Sequence, residues 1–220
     1  MNWLLHSTAG TITRIVVGVC ILLTLMIVDL VRNRSRATRW REYVFLVICV
    51  AAAMVYGMLN DQVTSGISWE YFYYGKELDK VLGPDIPPDR AALRWQAAKI
   101  GAMATWSVGL ILGVAILIAN NPRRDRPQVP LGHLLVLLGP VLALTVLFAA
   151  AFGLLGWYGW LNWMFEDFRD MWRLNIFRPH HFTAVYGAHL GGYVGGLIAG
   201  TFAVLRVLQM RKMAKGTTSA

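Results

Sequence analysis

The side chains able to do chemistry gather in two places. One is Asn60–Glu77, NDQVTSGISWEYFYYGKE, which carries Asp61, Gln62, Glu70, Glu77 and the phenols of Tyr71, Tyr73 and Tyr74. The other is the run from His180 and His181 to His189. Carboxylates and imidazoles together suit zinc, iron or manganese, which accept mixed N/O ligands. With phenols beside them they equally suit a hydrogen-bonded small ligand or acid–base chemistry. On a helix, Glu70, Tyr74 and Glu77 fall within about 60° of one another at roughly 100° per residue. Tyr186, His189 and Tyr193 are three and four residues apart and form one stripe.

The spacing matches no established metal signature: HExxH, ExxH and paired histidines at three or four residues are all missing. His181 and His189 are about 12 Å apart along a helix and some 80° around it, so they cannot share an ion on an unbroken helix. A metal would need one histidine with Asp61, Glu70 or Glu77. The plainer readings are carboxylates paired with Lys76, Lys80 or Arg178, and a neutral His189 imidazole bonded to a tyrosine or carbonyl of another helix. Ser65 and Ser68 lack a GxSxG elbow, and no Walker loop or dinucleotide fingerprint occurs.

The elements that must position these groups are membrane helices. The chain has 220 residues, 56% apolar and 15% charged, against about 25% charged in a soluble domain; its mean hydropathy is +0.49. Five apolar runs, 11–31, 43–59, 100–119, 131–155 and 182–208, each cover most or all of a hydrocarbon core of ~30 Å. The first is too long for a signal-peptide core and lacks its basic flank, so it reads as a retained span. The fold class expected is all-α, a single bundle of five transmembrane helices over 1–220 with short amphipathic helices on the outer face. Cys20 and Cys49 lie inside apolar runs, placed for packing rather than a disulfide or a metal clip.

Orientation follows from the basic residues. Arg32, Arg34, Arg36, Arg39 and Arg41, then Arg123, Arg124 and Arg126, then Arg206, Arg211, Lys212 and Lys215 all fall on one side of five spans. Loops 60–99 and 156–181 carry eight basic residues against nine carboxylates. The positive-inside rule then puts the N-terminus outside and the C-terminus in the cytoplasm of a bacterial inner membrane. The net charge of +9 is thus a topology signal and an attraction to anionic membrane lipids, not a nucleic-acid patch.

Within the outer loops, Ser68 is expected to cap a helix over Trp69–Leu82, ended by Gly83-Pro84. Asp89-Arg90 opens an amphipathic piece that feeds span three. Trp157–Arg178 reads as an interfacial helix, with Glu166, Arg169, Asp170 and Arg173 at helical spacing and Trp157, Trp160, Trp163 and Trp172 as an aromatic belt. Pro140 is expected to kink span four. His6 lies on the outer half and His133 at the inner end of that span. Arg14 and Asp29, near the ends of span one, are expected to snorkel. Span five carries the glycine ladders Gly187–Gly191–Gly195 and Gly192–Gly196–Gly200, suited to close helix packing in the bundle or to a homo-oligomer.

Asn60-Asp61-Gln62-Val63-Thr64 followed by Glu70-Tyr71-Phe72 resembles a family of uncharacterised bacterial integral membrane proteins, in which (N/H)DQ-x-T precedes Glu-Tyr-Phe. The likeness extends over Ala104–Gly109 and Tyr186–Gly196. Where those proteins often have Pro before the Glu, this chain has Trp69. The resemblance implies a shared outer-face site built from Asp61, Gln62, Glu70, Thr105 or Trp106, and His189, and it implies no reaction.

The function expected is therefore an inner-membrane protein whose outer polar site binds a metal ion or a small ligand. Asp61 and Glu70 would be acceptors, His189 or His181 a nitrogen ligand or acid–base group, and Tyr71 or Tyr74 a donor, with Gln62, Glu77, Thr105, Trp106 and Tyr193 as further contacts. The alternative is a non-catalytic subunit or assembly factor of a larger membrane complex; a transporter would need broken or inverted-repeat helices, which the pattern lacks. A reporter fused after Ala220 should read as cytoplasmic, and an extracytoplasmic reading would overturn the orientation.

Overall fold

A computed structural model describes residues 2–34, 39–121, 127–164 and 176–216. Arg36, Arg123, Arg124 and Arg126 lie outside the described residues, as do Glu166, Arg169, Asp170, Trp172 and Arg173 and the side chains of His6 and Lys215. The described chain is helical, without strands: α1 (Asn2–Asn33), α2 (Trp40–Ile67), a π-helical turn (Tyr71–Gly75), α3 (Asp79–Leu82), α4 (Arg90–Ala119), α5 (Leu131–Val136), α6 (Leu138–Trp157), a 3-10 turn (Asn162–Met164) and α7 (Pro179–Gly216). Five stretches are long and apolar enough to cross a membrane: Ile12–Asn33, Trp40–Ile67, Arg90–Ala119, Leu131–Trp157 and Pro179–Ala214. The chain is an all-α, multi-pass membrane protein.

The helices outrun the apolar runs, because hydropathy marks lipid contact whereas the backbone stays helical until something stops it. Span two does not end at Leu59. It continues through Asn60, Asp61 and Gln62 to Ile67, with Thr64 donating its hydroxyl to the Asn60 carbonyl one turn back. Asp61 is therefore a helical residue and not part of a loop tether. Span three likewise starts at Arg90, where Asp89 caps α4 by accepting the Ala92 N–H at 2.7 Å. Span four breaks at Leu137, one turn before Pro140, whose ring displaces the carbonyl four residues back.

The chain folds as two compact units. The first comprises Met1–Met54, Met103–Leu138 and Val204–Ala220. There Asp29 is buried rather than snorkelled, accepting from the Asn33 side chain and the Trp40 N–H. Arg211 donates to the carbonyls of Ala119 and Pro127, satisfying the end of α4 with a cation as helix C-termini favour. Asn120 and Val129 exchange two hydrogen bonds.

The second unit comprises Val55–Ala102 and Gly139–Ala203 and contains the polar stretch. Two close backbone approaches assemble it. A Cβ at Gly101 would collide with the Gly57 carbonyl, so α4 crosses α2 one turn from Asp61. On α7, Gly187 and Gly191 meet the carbonyls of Phe152 and Phe148, and Gly195 meets the Phe148 ring. The ladder expected as a packing face is thus occupied by α6 of the same chain. The rings of Tyr71 and Phe72 with Leu78, Leu93, Ile176 and Phe182 form the apolar core beside these crossings. Gly191→Leu should destabilise the purified protein by about 1–3 kcal/mol through overpacking. Gly18→Leu on α1, where a Cβ meets nothing within 4 Å, is the control. Equal melting temperatures for the two variants would refute the crossing.

Candidate functional site

Asp61 comes from the polar last turns of α2 and His189 from the third turn of α7. Asp61 is 2% exposed, and its Oδ1 lies 3.7 Å from Nε2 of His189. That exceeds hydrogen-bond length. Asn60 donates to the same Oδ1 at 3.2 Å, whereas His189 Nε2 is buried and has no hydrogen-bond partner among the described residues. A buried, unpaired ring nitrogen is costly, and in a membrane-spanning segment it marks a functional position by default.

Aromatic rings set the orientation of that imidazole. Tyr71 stacks on it with centroids 5.0 Å apart and planes 14° from parallel, and Phe72 meets it edge-on at 6.0 Å. The Tyr56 hydroxyl lies against Gly192 of α7, one turn below His189. Burial, then the charges of Tyr193 and Asp61, push the Tyr71 phenol well above its ordinary value. The Lys76 ammonium lies 5.4 Å from the centre of the Tyr71 ring. Burial pulls its pKa below the usual lysine value, and the Asp61 carboxylate pulls it back up.

Several expected site residues are engaged elsewhere. Ser68 does accept the Tyr71 N–H at 3.2 Å as a helix cap, but the helix it starts does not continue to Leu82 in α form. After two residues it widens into the π turn, where Tyr71, Phe72 and Tyr73 are buried in succession. Glu77 then takes a left-handed φ of 56°. The expected shared face of Glu70, Tyr74 and Glu77 is lost, since it presumed α periodicity throughout. Glu70 is 1% exposed and accepts the Phe177 backbone N–H. Glu77 is half-exposed and paired with Lys80 at 2.6 Å. Tyr74 packs on Trp69 and Tyr73, its buried hydroxyl unpaired among the described residues.

Gln62 spends both ends of its amide on Arg94, donating to its carbonyl at 2.7 Å and accepting from its Nε at 3.1 Å. His181 bonds the Ile67 carbonyl through Nδ1 at 2.9 Å and lies against Trp157. It closes the C-terminus of α2 rather than facing a ligand, and His180 is exposed. Thr105 and Trp106 belong to the first unit, not to the one that holds this cluster. Over 157–164 the expected interfacial helix gives way to a turn at Gly159, φ 78°, and the 3-10 turn, though Trp157, Trp160 and Trp163 are exposed as a belt requires.

The ligand set Asp61, Glu70, Glu77, His181 and His189 is therefore not assembled. Among the described residues no group of three or more His, Cys, Asp or Glu is gathered as a metal ion would need. Of that set only Asp61 and His189 converge. Two contributors escaped the sequence reading. Tyr56 was hidden in an apolar run, four residues before Asn60 on the same helix face. Lys76 read as a surface counter-ion, although it is the one cation between Asn60 and Glu77.

Glu70 makes a testable structural contribution. Glu70→Ala should cost about 1–3 kcal/mol by stranding the Phe177 amide and should speed hydrogen exchange there, whereas Glu70→Gln keeps an acceptor and most of the protection. Unchanged exchange in Glu70→Ala would remove the role. Compared with known proteins, the chain matches no protein family, no curated protein and no solved structure.

Proposed function

We propose that this chain is a bacterial inner-membrane protein, N-terminus outside and C-terminus cytoplasmic, that binds the hydroxyl-bearing head of a small membrane-soluble molecule between Asp61 and His189. The orientation rests on the arginine distribution. The ligand class rests on one observation: the buried Nε2 of His189, unpaired among the described residues, stands 3.7 Å from a buried carboxylate oxygen. An oxygen carrying one proton satisfies both at once, at about 2.8 Å from each atom, by donating to the carboxylate and accepting from the ring N–H. Tyr71 holds the ring in place, and the phenols of Tyr56 and Tyr193 add polar surface in an otherwise apolar setting. Asp61 and His189 are two of the residues that the resemblance to the (N/H)DQ-x-T membrane proteins implies, beside Gln62, Glu70 and Thr105 or Trp106. A metal would need a third donor, and Glu70 and His181 hold backbone groups instead.

The test uses protein purified in an amine-oxide detergent, which has no hydroxyl, titrated with 1-octanoylglycerol and followed by tryptophan fluorescence and melting temperature. Wild type should saturate. Asp61→Asn and His189→Ala should each weaken binding about tenfold or more, the loss of a hydrogen bond to a charged or buried partner. A wild type that does not respond, or variants that bind as wild type does, would overturn the hydroxyl reading.

A further inference from the structure

Lys76 is the feature this reading leaves unused. It follows the π turn, beyond Ile67 where the α2 span ends and before Arg90 where the next begins, so it sits outside the membrane-spanning stretches while Asp61 and His189 lie within them. Its ammonium lies 5.4 Å from the centre of the Tyr71 ring, the ring that stacks on the His189 imidazole at 5.0 Å. The neighbouring carboxylates are taken: Glu77 by Lys80 at 2.6 Å and Glu70 by the Phe177 amide. Among the described residues Lys76 has no carboxylate within ion-pair distance; Asp61 acts on it only through space. A half-buried ammonium lacking a close counter-ion favours an anion beside it.

We propose that the ligand of this site is a phosphate ester bearing a neighbouring free hydroxyl, its phosphate bound by Lys76 and its hydroxyl by Asp61 and His189. This rests on the hydroxyl reading above and adds the charge. Lys76 lies between two spans whereas Asp61 and His189 lie within spans, which suits an amphiphile with its phosphate at Lys76. The same chemistry occurs without a chain in a free glycerol phosphate, so the source is left to the measurement.

Three probes separate the possibilities: 1-octanoylglycerol, 1-octanoylglycerol 3-phosphate and sn-glycerol 3-phosphate. Wild type should bind the phosphorylated amphiphile about tenfold or more tightly than the neutral one, as a charge-assisted contact implies. Lys76→Gln should erase that preference, and Lys76→Arg should keep it. Comparable affinity for glycerol 3-phosphate would assign a free phosphate ester as the source, and its absence a lipid. If wild type shows no preference, or Lys76→Gln retains it, the phosphate assignment falls. The hydroxyl reading stands or falls separately, on whether Asp61→Asn and His189→Ala weaken octanoylglycerol. Should Lys76→Gln not fold, the wild-type preference and its retention in Lys76→Arg decide the matter.

Discussion

A carboxylate buried in an apolar helix must have polar company, and the second unit is arranged around supplying it to Asp61. Burying that group in a low-dielectric setting costs several kcal/mol unless neighbours offset it. Asn60 offers one donor from the same helix. His189 approaches from α7, and it can do so only because the α7 backbone lies directly against α6. At Gly187 and Gly191 even a methyl group would strike a carbonyl. At the α2–α4 crossing a Cβ on Gly101 would strike the Gly57 carbonyl and come within 3.0 Å of the Asp61 carboxyl carbon. The polar pair thus depends on places where side chains are missing.

The connection after α2 completes the enclosure. Its π turn turns three successive aromatic residues inward, which 100° steps would spread around a helix. Tyr71 consequently lies flat against His189 and Phe72 on its edge. Glu70 and His181 hold this arrangement by bonding backbone groups distant in sequence, Phe177 and Ile67. Their chemistry is consumed in closing the structure. Residues with the same side chains as a catalytic set have become its mortar, and the difference between Glu70 and Asp61 is one of partners rather than of type.

That difference explains what was legible in the sequence. Five spans could be read from apolar length alone, because lipid contact is recorded directly in composition. Helix ends could not. Asn60–Ile67 is polar enough to resemble a loop, yet nothing in it before Ser68 stops a helix, and Gly66 alone is tolerated. Pro140 announced its break and Gly83 its stop, since both act through their own backbone. The π turn and the left-handed Glu77 left no such mark, being products of tertiary packing. The glycine ladder was correctly legible as a packing face, but not its occupant. His189 stood out because ionisable groups are rare in spans, whereas Asp61 stood out only as a carboxylate of the polar stretch read as loop. The engagement of Gln62 with Arg94, 32 positions away, carried no local signal.

The chemistry of the site follows from counting donors and acceptors on the two converging side chains. A divalent cation wants three or four protein ligands with lone pairs directed at one point; among the described residues one carboxylate and one ring nitrogen face each other here. A proton-bearing oxygen wants one acceptor and one donor, which a carboxyl group and an imidazole can provide between them. The 3.7 Å separation suits it as well: too long for the two groups to satisfy each other, short enough for one oxygen to reach both. Lys76 then supplies what the pair lacks, a positive charge beside an otherwise uncharged wall of rings, and so gives the site a means of distinguishing an anionic hydroxyl compound from a neutral one.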